Sequence, residues 1–414
     1  MDILLKEFRL EQRGPNVRVA CTVASTNLPD TLWFEVQERN RPALDPEEAN
    51  WAAVGLLYPA MALGRNLVID APLSPRLLHG LRRDIQELVA GYEPHLSRIT
   101  IDAGDSSRPA GPRATGVATG FSAGIDSFAT LILETADDIP PACRVTHLAV
   151  FNVGAFDSGP NAVPLFHVFA KRSDGYAAER GLGSYAVNSN LDDFFSGLPG
   201  KALFQRTHTL RDAAPALLLQ NGIGRYLYSS GLPYSEVVTG PSDAISHMDP
   251  ILLPLLSTER LDLLSGVPAL SRVAKTAIVA ENPDARRMLD VCIANADKRM
   301  RLGKINCSNC WKCVRTLLTL EALGQLDAFG EVFDLAYYRA NRTALMHSLV
   351  KRSGQGDVAA KEALAFARAR GLPLPGPMSR IGRRTAHLRR RAVRRSLQLL
   401  GARAISNRTE SSDG

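Results

Sequence analysis

Between residues 116 and 280 the spacing of apolar positions changes repeatedly. Short runs of β-branched, aromatic and small apolar residues cover 117–121, 147–151, 185–187 and 235–240. Longer stretches with helical spacing lie between them, at 126–135, 163–180 and 211–229. Strands alternating with helices predict an α/β fold built on a doubly wound parallel sheet. Upstream, 4–10, 17–23, 32–36, 66–70 and 99–101 read as strands and 51–63 as a helix. Ser74 and Pro75 open a further helix through residue 88, as N-cap and first helical residue. The pattern divides the chain into an N-terminal α+β domain (1–103), a Gly-, Pro- and Ser-rich linker (104–115), a second domain (116–345) and a tail (346–414).

Parallel sheets bind ligands beyond the carboxyl ends of their strands. At those ends the chain carries Ser122, Asn152, Asn188 and Gly240-Pro241-Ser242-Asp243. Polar residues end many strands, so this row supports a nucleotide site without proving one. The sharpest part is the turn Phe121-Ser122-Ala123-Gly124-Ile125-Asp126-Ser127, between a strand and an apolar helix. Small residues let the chain bend tightly, and the bend and the first helical turn then aim N–H groups into one concavity. With the positive end of the helix dipole they make a cradle for phosphate oxygens. Ser122 and Ser127 add hydroxyl donors, and Asp126 is placed either to hold Mg2+ or to cap the helix. An ordinary capped strand-to-helix turn is the plain alternative.

Six cysteines in 414 residues, four of them bunched, do not make a disulfide framework. Cys292 lies upstream of Cys307-Ser308-Asn309-Cys310-Trp311-Lys312-Cys313, with fourteen residues between it and Cys307. Two overlapping C-x-x-C turns and one upstream thiol supply the four ligands of a tetrahedral Zn2+, which is favoured over an iron–sulfur cluster. Lys304, Lys312 and Arg315 offset part of the thiolate charge.

These two motifs carry a resemblance. The turn resembles the pyrophosphate-binding loop of the PP-loop ATP-pyrophosphatase superfamily (HUP-like folds), normally Ser-Gly-Gly-x-Asp-Ser after a first parallel strand. Ala123 stands where that family has glycine, which strains the loop if the position needs a positive φ. A PP-loop followed by Cys, a gap, C-x-x-C-x-x-C and an arginine-bearing helix is similar to the 7-cyano-7-deazaguanine synthases, over roughly residues 116–325. The N-terminal domain and the basic tail have no counterpart there.

The resemblance implies ATP as cofactor, with Phe121 to Ser127, Asn152, Asn188 and Gly240 around it. It implies a lysine after the fourth strand facing the phosphates, for which Lys275 is the match, with Arg272 beside it. A solvated basic helix face is the alternative. Cys292, Cys307, Cys310 and Cys313 would hold the zinc. The implied chemistry is attack of a substrate oxygen on the α-phosphorus of ATP, departure of pyrophosphate, then attack on the adenylate by nitrogen or sulfur. The loop amides, Ser122, Ser127 and Lys275 would stabilise the leaving charge, with Mg2+ bridging through Asp126. Sulfur transfer to RNA competes with amidation, but it calls for a reactive thiol, and only Cys21 and Cys143 remain. Neither has the electropositive setting that lowers a thiol pKa, so nitrogen chemistry on a small-molecule or peptide acceptor is expected. A non-catalytic nucleotide-binding module is the third option.

Charge and hydropathy add the surroundings. The first residues mix acid and base into their apolar run, unlike a secretory signal. No run reaches the roughly 18 apolar residues of a membrane span. A reducing cytoplasm is expected. Nine arginines and no acid lie between Arg380 and Arg403, so the net charge of +7 belongs to the tail rather than the body. A basic helix over 383–400 would meet RNA phosphates, an anionic membrane surface or an acidic protein, unless it is a solvated, partly disordered tail. A homodimer is left open. Asp249 and Glu259 are polar candidates for an acceptor pocket, or belong to a surface loop.

Overall fold

The computed structural model describes residues 2–104, 111–156, 161–200, 202–294 and 303–375. Half of the proposed linker (105–110) and all of the arginine-rich stretch from Arg380 to Arg403 lie outside the described residues.

Ten strands form one sheet: β1 (Ile3–Arg13), β2 (Asn16–Ala24), β3 (Thr31–Gln37), β4 (Leu67–Ile69), β5 (Ile101–Ala103), β6 (Gly116–Gly120), β7 (His147–Phe151), β8 (Gly183–Ser189), β9 (Ile223–Ser229) and β10 (Asp262–Gly266), in the order β10-β9-β6-β7-β8-β3-β2-β1-β4-β5. Neighbours from β10 to β8 are parallel, as are β1-β4 and β4-β5. The β8-β3, β3-β2 and β2-β1 pairs are antiparallel. The helices are α1 (Asn50–Leu63), α2 (Pro75–Arg82), α3 (Asp84–Tyr92), α4 (Ile125–Glu134), α5 (Ala162–Ala178), α6 (Phe204–Leu218), α7 (Asp249–Leu255), α8 (Arg272–Ala280), α9 (Pro283–Met288), α10 (Trp311–Ala322), α11 (Leu335–Ser353) and α12 (Val358–Ala369).

The parallel strands are buried on both faces because their side chains alternate between two cores. Ala118, Ala149 and Tyr226 join α1, α6 and α7 on one side. Val117, Leu148 and Leu227 join α4, α8, α10 and α11 on the other. From β6 the chain builds outward first through β7 and β8, then, on the opposite edge, through β9 and β10. The turn after β6 therefore sits where the winding direction reverses, the place where such sheets open a crevice.

Several elements differ from their sequence-based outlines. The apolar stretch at 211–229, expected as one helix, is α6 followed by β9. Asn221 and Gly222 interrupt it, and Ile-Gly-Arg-Tyr-Leu-Tyr-Ser pairs with β6 instead. The strand expected at 235–240 is irregular chain around a short 3-10 turn, Tyr234–Glu236, so Gly240 ends no strand. Ser229 and Ser230 take that position. The helix expected from Ser74 to residue 88 is capped by Ser74, whose hydroxyl accepts from the Leu77 N–H at 3.1 Å, but breaks at Arg83. The N-terminal strands do not close a sheet of their own: Phe34 and Glu35 of β3 pair with Ser189 and Asn188 of β8. Of the stretch read as tail, 346–353 and 358–369 are helical, with Leu349, Ala360 and Leu364 in the second core.

Candidate functional site

A cleft of roughly 590 Å³ opens at the tips of β6, β7 and β9. The turn Phe121–Ser127 forms its floor, and α8, the cysteine segment and α10 form its walls. Phe121 anchors the turn from below, stacked on Tyr176 with ring centroids 4.9 Å apart and edge-on to Phe128. The Ser122 hydroxyl accepts from the Gly124 N–H at 3.3 Å and lies 3.4 Å from the Ser127 hydroxyl, which donates to the Gly124 carbonyl at 3.1 Å. Among the described residues no side chain caps α4, and its first residues, Ile125, Asp126 and Ser127, line the cleft. A Cβ at Gly124 would approach the Ser122 hydroxyl to 3.2 Å, a tight fit that keeps the bend narrow. Ala123 holds φ at +57°, the left-handed conformation that costs a non-glycine residue roughly 1–2 kcal/mol.

Asp126 is not a helix cap. Its carboxylate meets Arg272 at 2.6 Å and Lys275 at 3.6 Å. Two cations already neutralise it, so it does not fit the part of a magnesium ligand. Lys275 is buried: its ammonium donates to the Ser230 carbonyl at 2.6 Å, and it does not line the cleft. Burial pushes its pKa down against the opposing pull of Asp126. Arg272, on the same helix, does reach the cleft. Asn152 and Asn188 bond each other at 2.7 Å, and neither lines it. Asp249 is buried beneath α6 rather than in a surface loop, whereas Glu259 accepts from Ser74 and from the Arg76 N–H, tying two halves of the sheet together.

The cations that face the turn come mainly from α10. Lys312 and Arg315, three residues apart and so on one side of the helix, both line the cleft. Burial lowers the pKa of Lys312 and pulls Arg315 down to about 9, with Arg272 adding repulsion. Arg315 Nε is buried without a hydrogen-bond partner. The sequence shows these two residues plainly, but read beside the cysteines they look like counter-charges to a metal. Their helical spacing was the signal that they point elsewhere.

The four cysteines converge. The sulfurs of Cys292, Cys307, Cys310 and Cys313 all lie within 4.8 Å of one another. A zinc–thiolate tetrahedron with bonds near 2.3 Å asks for sulfurs about 3.8 Å apart, so the set suits one such ion. Backbone N–H groups of Ala294 and Cys307 approach Cys292 Sγ at 3.3 and 3.4 Å, and that of Cys310 approaches Cys307 Sγ at 3.2 Å. Such N–H donors stabilise thiolates. Asn306 stitches the two arms of the loop, accepting from the Val291 N–H and donating to the Leu289 and Val332 carbonyls. Cys310 is the N-cap residue of α10 and Cys313 lies in its first turn, so an ion held by the four sulfurs would also fix the helix that carries Lys312 and Arg315.

Compared with known proteins, the chain matches no family model, no curated protein and no solved structure. Among the described helices, none is long and apolar enough to cross a membrane.

Proposed function

We propose that the chain is an ATP-dependent, pyrophosphate-forming ligase of the PP-loop kind, which adenylates a carboxylate or carbonyl oxygen for attack by nitrogen. The observation that carries this reading is the meeting of an uncapped, serine-bearing turn with Arg272, Lys312 and Arg315 at the point of winding reversal. Loop amides and the Ser122 and Ser127 hydroxyls bind the β- and γ-phosphates. The three cations then stabilise the charge that grows on pyrophosphate as it departs. This assigns to Arg272, Lys312 and Arg315 the role that the resemblance gives to Lys275, which holds the Ser230 backbone and Asp126 in place from beneath. Magnesium enters as part of the nucleotide substrate, with no step assigned to Asp126.

Cys292, Cys307, Cys310 and Cys313 would hold a zinc ion. Four thiolates leave no open coordination position, so the ion braces the wall and takes no part in bond making.

Nitrogen chemistry is favoured over sulfur transfer because, among the described residues, Cys292 alone of the cysteines lines the cleft, and it belongs to the metal set. Cys21 is buried in the sheet with its thiol pushed up to about 12. The left-handed Ala123 favours a second reading, a nucleotide-binding module without turnover. Incubating the protein with ATP, Mg2+ and candidate carboxylates separates them. Acceptor-dependent release of AMP and pyrophosphate, lost in Ser122→Ala, is expected for the ligase. Tight ATP binding with no cleavage for any acceptor would favour the module.

A further inference from the structure

Away from the phosphate turn, the same cleft has a part of opposite character. Phe204, His208 and Asp212 recur every four residues along α6 and so share one face of it. Tyr226 and Tyr228 alternate on β9 and point to one side of the sheet. The two rows meet: the rings of His208 and Tyr228 stack at 5.8 Å, and the Tyr228 hydroxyl lies 2.7 Å from His208 Nδ1. Phe204, Asp212, Tyr226 and Tyr228 all line the cleft.

Three carboxylates face this cleft. Asp126 is paired with Arg272, and Asp290 with Arg172 at 3.2 Å. Asp212 has neither an ion pair nor a hydrogen bond among the described residues. Its neighbour Arg211 is turned away, donating to the Val153 and Ala202 carbonyls and the Thr207 hydroxyl and pairing with Asp192. Behind Asp212 stands Asp249, close enough to repel it. One Asp249 oxygen accepts from Thr209 at 2.6 Å, and the other is buried without a partner. His208 supplies no balancing charge, since burial, with Arg211 and Lys312 nearby, holds its pKa down to about 3. A recess that holds an acid without an ion pair, Asp212, with a second acid behind it and aromatic faces around it, is suited to a cation.

We propose that this recess binds the protonated nitrogen of the second substrate, a primary ammonium, with Asp212 as its counter-ion and the rings of Phe204, Tyr226 and Tyr228 around it. The assignment of that nitrogen to the second substrate rests on the ligase reading above. In that reaction the ammonium passes one proton to the Asp212 carboxylate, and the freed lone pair forms the C–N bond to the adenylated carbonyl carbon. The bond from that carbon to the AMP oxygen breaks with its electron pair on AMP, and the second nitrogen proton leaves to water. Atoms and charge balance with ATP as the only other reactant.

The test titrates benzylammonium chloride and its neutral counterpart, benzyl alcohol, into the full chain by calorimetry, alongside MgATP as a separate ligand. Wild type is expected to bind the ammonium at least about tenfold more tightly than the alcohol. Asp212→Asn is expected to erase that difference while the chain stays folded and MgATP affinity stays put. Should that variant not fold, Phe204→Leu is expected to weaken the ammonium more than the alcohol. Equal binding of the two probes to wild type, or an unchanged preference in Asp212→Asn, overturns the proposal. So does a parallel loss of MgATP affinity, which would mean that the recess reads the nucleotide. Wild type that selects the ammonium but does not bind MgATP keeps the cation recess and overturns the ligase reading.

Discussion

Two sides of the cleft at the tips of β6, β7 and β9 are held by different physics. The turn after β6 is an outgrowth of the sheet. Its strand is paired on both sides, Phe121 is clamped by Tyr176 and Phe128, and its hydroxyls close on its own backbone. The opposite wall is irregular chain leading into α10, with its sulfurs gathered for an ion. The two share one apolar core and are also tied by hydrogen bonds: the Asp290 N–H donates to the Ala123 carbonyl at 2.8 Å, and Arg172 bridges Asp290 and the Ser122 carbonyl. One side is thus set by burial and backbone pairing, while the other, also buried along α10, gathers four sulfurs where one ion would sit.

The largest way to break that comparison is to remove the ion. Zinc bound to four cysteines contributes on the order of 10 kcal/mol to the segment it orders. Chelation or Cys313→Ser is therefore expected to lower the melting temperature sharply and to raise proteolysis near Cys307, while exchange protection of β6 and β7 persists. Elemental analysis of the purified chain should give one zinc. Loss of protection in β6 together with the cysteine segment would show that the walls are not separately held.

A mid-sized effect tests the recess beyond the turn. Burial pushes Asp212 up to about 7 and Asp249 up to about 8. A carboxyl whose folded pKa is raised keeps its proton in the folded state and loses it in the unfolded one. Stability from these groups is fully present below about pH 4 and lost as pH rises toward 8, with a slope of at most about 1.4 kcal/mol per unit for each group. His208 acts in the opposite sense between its ordinary 6.5 and about 3. The difference between Asp249→Asn and wild type isolates the carboxyl: the variant is expected to gain on wild type as pH rises from 5 to 8, measured by urea unfolding. A difference independent of pH would contradict the burial of an unpaired acid there.

The smallest effect is at Ala123. Glycine would relieve roughly 1–2 kcal/mol of left-handed strain. It would lose about 0.8 kcal/mol for a buried methyl and a similar amount in chain entropy. Ala123→Gly is expected to leave stability within about 0.5 kcal/mol. A loss above about 2 kcal/mol would mean that the methyl packs the turn more firmly than its backbone strains it.

What was legible in the sequence followed from strong local patterns. The β6 turn, the Ser74 cap and the cysteine set are each written in a few residues whose geometry is local. The β9 strand was not, because Ile223–Ser229 continues the apolar run of α6 and only pairing with β6 makes it a strand. That misreading hid Asp212 inside a helix placed too late, along with the Phe204-His208-Asp212 stripe. It also moved the polar row from Ser229 and Ser230 to Gly240. Lys275 carried the expected charge and position but faces inward, a matter of helix rotation that spacing alone leaves open. The joining of the N-terminal strands to β8 rests on two residue pairs distant in sequence, for which no local signal exists.

The most direct measurement is a calorimetric titration of inorganic pyrophosphate into zinc-loaded protein, wild type beside a Lys312→Ala/Arg315→Ala pair. The account predicts one site in wild type and a loss of about 100-fold or more in the variant, since two charge-assisted contacts of about 1.5–3 kcal/mol each disappear while the turn stays intact. Undiminished affinity in that variant would contradict the claim that the cysteine-held helix supplies the cations for the turn after β6.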